Sequence, residues 1–70
     1  MTIQDAVLTS LGHPPGLYRV VVRLLWLDHY RVNVMVGPDA SSVRIPHSYF
    51  VAVGADSVIR SCVPRIVRLY

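Results

Sequence analysis

Seventy residues, 53% of them apolar, with a mean hydropathy of +0.45 and seven arginines against four aspartates, set tight bounds on what this chain can be. A chain this short buries only about 60% of the surface its unfolded form exposes, which argues for a single domain over residues 1–70 and against a large enclosed pocket. The longest uncharged stretch, residues 45–55, is too short to span a bilayer and holds Pro46, His47 and Gly54, so no membrane partner is expected.

The first element is a helix. Thr2-Ile3-Gln4-Asp5 has the form of a capping box, and Ile3, Val7, Leu8 and Leu11 recur at helical spacing before Gly12, Pro14 and Pro15 stop the run. The predicted helix covers about residues 3–11, roughly two and a half turns, too short to persist without docking. His13-Pro14-Pro15-Gly16 then reads as a rigid link into a β-rich region over 17–70.

From Leu17 to Leu27 the apolar residues alternate. Tyr18, Val20, Val22, Leu24 and Trp26 are predicted on one face, Arg19, Val21, Arg23, Leu25 and Leu27 on the other. Asp28 and His29 interrupt the pattern. Tyr30, Val32, Val34 and Val36 resume it, opposite Arg31, Asn33 and Met35. Bringing the two valine faces together needs a three-residue loop or a bulge near Asp28-His29, because directly opposed residues share a face.

After the turn-rich Gly37-Pro38-Asp39-Ala40-Ser41-Ser42, a third strand begins at Val43-Arg44-Ile45, with Pro46 confining it to an edge or a bend. Ser48 to Val53 reads as a strand, Gly54-Ala55-Asp56-Ser57 as a turn and Val58 to Val63 as its hairpin partner. Arg65 to Tyr70 is expected to be a terminal strand. The fold class is therefore α+β: a short N-terminal helix and a small antiparallel sheet of four to five strands, meander-like and open to barrel-like closure.

Several function classes lose support from the residue inventory. No glycine-flanked serine, paired-carboxylate segment or phosphate-binding glycine loop is present, and Asp28, Asp39 and Asp56 fall in predicted turns that their backbone hydrogen bonding explains. No enzyme, no catalytic residue and no cofactor are expected. His13, His29 and His47 share no one-turn or alternate-strand spacing, and Cys62 is the one cysteine, so no metal site is assigned. Cys62 reads as a small buried side chain. Without a basic, apolar and small-residue leader pattern at the N-terminus, the cytoplasm is the expected compartment.

Two binding classes remain. Arginine is used to the exclusion of lysine, a choice that suits bidentate contacts to phosphate or carboxylate, although a net charge of +3 is also ordinary for solubility. The apolar excess favours a non-enzymatic, self-associating interaction protein, as a homo-oligomer or with a small protein partner, in which Val21, Leu25, Leu27 and Met35 form a patch rimmed by arginines. The alternative is nucleic-acid binding along the stripe Arg19, Arg23, Arg31 and Asn33. That alternative lacks a stacking surface, because the predicted alternation sends Tyr18, Trp26 and Tyr30 to the opposite face.

Overall fold

The computed structural model describes residues 2–56 and 58–70. Helix α1 spans Ile3–Leu11, and the strands are β1 Leu17–Trp26, β2 His29–Val36, β3 Arg44–Val53 and β4 Ile59–Val63. The strands form one antiparallel meander in the order β1-β2-β3-β4, an α+β arrangement that does not close into a barrel.

The capping box forms as the sequence requires. Asp5 N–H donates to Thr2 Oγ1 at 3.1 Å and Thr2 N–H donates to Asp5 Oδ2 at 3.3 Å, satisfying two amides that helix geometry leaves free. Hydrogen bonding to the carboxylate from Thr2, its side chain first and then its backbone N–H, holds the Asp5 carboxyl below its ordinary pKa. The helix stops at Gly12, whose φ of 93° suits a residue without a side chain and whose N–H returns to the Leu8 carbonyl.

One face of the sheet carries the core. Val7 and Leu11 of α1 pack with Val20, Val32, Val34, Tyr49, Val51 and Val53, while Ile3, Leu8, Leu17, Val22, Tyr30, Ile59, Cys62 and Ile66 pack around the rim. The ladder explains this grouping: Val20 faces Val34, Val22 faces Val32, Tyr30 faces Val51 and Val51 faces Cys62, so these side chains share the helix-covered side. Side chains of this size contribute about 1.5–3 kcal/mol each on full burial. Among the described residues no element covers the opposite face.

Three expectations are corrected. Arg44-Ile45 and Ser48–Val53 belong to one continuous strand, β3, which begins at Arg44 and leaves Val43 in the preceding loop. Pro46 is accommodated at a register shift against β2 and beyond the reach of β4, which pairs only with Phe50–Val53, so its missing N–H removes no ladder bond on that side. Arg65–Tyr70 is not a strand. The chain leaves β4 at Pro64 and returns to the helix end, where Leu69 and Tyr70 both donate to the Leu11 carbonyl, at 2.9 and 3.2 Å. Within the expected turn 54–57, Ser57 lies outside the described residues.

The third correction changes the exposed face. The β1–β2 hairpin turns through Leu27 and Asp28 alone, and the ladder absorbs an extra residue between Leu24 and Trp26. A bulge of this kind was required by the valine pattern, but it sits at Leu25, before the turn. Leu24 still faces Tyr30, whereas Trp26 faces His29 and is thrown to the uncovered side. Leu27 leaves the strand for the turn, with φ at 46° and 87% of its surface exposed.

Candidate functional site

The uncovered face is built in cross-strand rungs. Arg19 faces Met35; Val21 faces Asn33, which faces Ser48; Arg23 faces Arg31, which faces Phe50; and Trp26 faces His29, which faces Ala52. Neighbouring rungs lie about 6.6–6.8 Å apart along a strand and about 4.8 Å across it. Arg19, Arg23 and Arg31 are exposed, while Val21, Asn33, Met35, Ser48 and Phe50 are half-buried. The stripe Arg19, Arg23, Arg31 and Asn33 is therefore brought onto one face. Of the apolar patch Val21, Leu25, Leu27 and Met35, only Val21 and Met35 occupy paired positions there; Leu25 is the bulge and Leu27 the turn.

At one end of this face three rings gather. Trp26 stacks on His29 with centroids 4.9 Å apart and planes within 18°, and Phe50 lies 5.5 Å from Trp26 and 5.7 Å from His29. Trp26 remains 52% exposed, so about half of the residue is open to solvent. His29 Nδ1 is 3.0 Å from Asp28 Oδ1, although the two are not aligned as a hydrogen bond. This cluster was not legible from strict alternation. Its signal was the unbroken apolar run Leu24-Leu25-Trp26-Leu27 immediately before a turn, a pattern that a regular half-buried strand does not produce.

A polar relay joins the middle of the face. Arg31 Nη1 donates to Ser48 Oγ at 3.4 Å, and Ser48 Oγ donates to Asn33 Oδ1 at 2.6 Å. Guanidinium has only donors, so the hydroxyl must pass its own proton onward, which fixes the amide oxygen of Asn33 toward Ser48 and leaves its NH2 as a donor. Arg19, Arg23, Arg31 and Asn33 thus present donors with little acceptor capacity. Among the described residues none of the three arginines forms an ion pair; Arg60 pairs with Asp56, and His29 lies beside Asp28. The rungs of this face contain no carboxylate.

The remaining chemistry-bearing residues lie elsewhere. His13 is exposed in the link before β1, and His47 sits on the helix side of β3, its Nε2 2.8 Å from the Tyr70 hydroxyl. Cys62 points toward Val51 and donates to the Pro64 carbonyl at 3.3 Å; burial pushes its thiol above the ordinary value. Asp39 caps its own turn, accepting from Ser41 N–H, Ser41 Oγ and Ser42 N–H, and these bonds, Ser41's first, hold its carboxyl below the ordinary value. Among the described residues no helix is long and apolar enough to cross a membrane.

Comparison with family models, with curated proteins and with solved structures finds no match. The functional reading therefore rests on the geometry of the face.

Proposed function

We propose that this protein binds single-stranded nucleic acid across the uncovered face of its sheet. The observation that carries the reading is the bulge at Leu25, which places Trp26, with His29 and Phe50, on the same face as Arg19, Arg23 and Arg31. Stacking rings among cations are what sheet-based recognition of single strands uses: rings take bases of any sequence, and guanidinium groups take phosphates. The donor-only polar set favours a ligand rich in acceptors, as a phosphodiester strand is.

Self-association through this same face is the weaker reading. An isologous dimer would oppose the surface to itself and bring six arginines together without one carboxylate, a like-charge cost that Val21, Met35 and Phe50 would have to outweigh.

The test is fluorescence anisotropy of a labelled mixed-sequence single-stranded oligonucleotide across a salt series, with the intrinsic emission of Trp26, the one tryptophan, as a second readout. Binding should weaken with salt and quench the indole. The triple variant Arg19→Ser, Arg23→Ser, Arg31→Ser should reduce the slope of log affinity against log salt by about 2, at roughly 0.7 per phosphate contact. Absence of binding at low salt, or an unchanged slope in the triple variant, would exclude the proposal.

A further inference from the structure

The two hairpin turns at one end of the sheet form an apolar surface that the nucleic-acid reading does not use. Leu24 is 58% exposed, Leu25 37%, Leu27 87% and, from the second turn, Val58 51%. Beside Leu27 lies an open depression of about 460 Å³ lined by Leu27, Asp28, Val53, Gly54 and Ala55. Val53 N–H donates to the Asp28 carbonyl at 2.9 Å, tying the first turn to the second, so the projecting side chain and the depression hold a fixed relation. Leu27 also occupies the left-handed region, which costs a non-glycine residue about 1–2 kcal/mol. A strained, nearly fully exposed leucine at a hairpin tip contributes nothing to the core.

We infer that this end of the sheet is a self-association site, in which Leu27 of each copy enters the depression beside Leu27 of the other. A two-fold contact requires knob and hole on the same patch, and here they are adjacent. Charge separates this surface from the arginine face. The turn region carries Asp28, Asp56 and Arg60, the last two paired at 3.2 Å, so two copies bring two Asp28 carboxylates together, a smaller like charge than the six arginines of the other face. The exposed parts of Leu24, Leu25, Leu27 and Val58 supply at most on the order of 400–500 Å² per copy, below the area of a standard specific interface and in the range of weak, transient contacts, so the dimer is a weak one that forms only at high concentration.

Sedimentation equilibrium of the full chain from about 10 μM to 1 mM, without nucleic acid, tests this directly. The protein should show a monomer–dimer equilibrium. Leu27→Asn should weaken it by about tenfold or more, while the thermal midpoint, measured on dilute monomer, is not lowered because asparagine tolerates the left-handed region. Ala55→Arg, which fills the depression from an exposed position, should weaken dimerisation similarly, and Leu27→Met should largely retain it. A monomer throughout the concentration range, or a dimer unaffected by both Leu27→Asn and Ala55→Arg, would overturn the inference. Since oligonucleotide is absent, these outcomes do not depend on whether the arginine face binds nucleic acid.

Discussion

Arg23 and Arg31 stand directly opposite one another on β1 and β2, two guanidinium groups on one rung with no carboxylate on their face. Like charges in that position destabilise a sheet, and an anion placed over the rung removes the repulsion. Stability and binding should therefore respond to the same substitution with opposite signs. Arg23→Gln, which retains much of the aliphatic stem, should raise the free energy of unfolding by about 0.2–1 kcal/mol at low ionic strength. The gain should shrink as salt screens the pair, while oligonucleotide affinity falls. Urea denaturation at two salt concentrations, beside anisotropy titrations, measures both.

Trp26 should dominate the stacking contribution. Trp26→Ala is expected to lose about 1–3 kcal/mol of binding, roughly 5- to 150-fold in affinity, with Trp26→Phe recovering most of it. Because the ring is half exposed and lies outside the core, the alanine variant should unfold within about 1 kcal/mol of the parent. Parallel affinity and chemical-denaturation measurements separate the two effects.

Alkaline pH should weaken the fold. Burial raises the Cys62 thiol above its ordinary 9.0, and burial, followed by the nearby Cys62 and Tyr70, raises Tyr49 above 10.0. In the window above each ordinary value the unfolded chain holds fewer protons than the folded one, so stability falls as pH rises. It should be insensitive to these two groups near neutrality and decline from about pH 9 upward. Cys62→Val should shift the onset of the decline toward the tyrosine range. At pH 8 the native thiol should alkylate slowly, and much faster once denaturant opens the sheet, as a timed iodoacetamide reaction followed by mass spectrometry would record.

Gly12 combines two demands. Its φ is 93°, and an added Cβ would come within 2.6 Å of the Tyr70 backbone oxygen. Gly12→Ala should therefore cost more than 1 kcal/mol, both by strain and by displacing the tail from the Leu11 carbonyl. A lowered denaturation midpoint with faster amide exchange at Leu69 and Tyr70 is the expected pattern; exchange at Val32 and Val34 should instead follow global stability.

Local chemistry made the helix and the core legible, because Thr2 and Asp5 cap in place and the valines of β1 and β2 repeat every second residue. The valine register even demanded an irregularity near the first turn. Its position was not legible, since Leu24, Leu25, Trp26 and Leu27 are all apolar and any of them can be the extra residue. One residue of uncertainty reversed the side on which Trp26 emerges, and with it the balance between the two binding readings. The tail was missed for a different reason: Ile66, Val67 and Leu69 have strand character, but β4 is only five residues long and the tail's hydrogen-bond acceptor is the distant Leu11 carbonyl. The rungs could not be read from sequence before the register was known, so Phe50 beside Arg31 had no earlier signal.

The return of the tail to the helix has a kinetic consequence. Each hairpin of the meander joins neighbours in sequence, whereas the Arg68 guanidinium reaches the Thr9 carbonyl across 59 residues, alongside the two amides on Leu11. Closing a loop that spans nearly the whole chain carries the largest entropic cost of any contact in the fold, and those hydrogen bonds form only after the sheet has brought both ends together. The clasp should therefore be absent from the folding transition state. Loosening it should speed unfolding and leave the folding rate nearly unchanged, which makes it the natural latch on the lifetime of the native state.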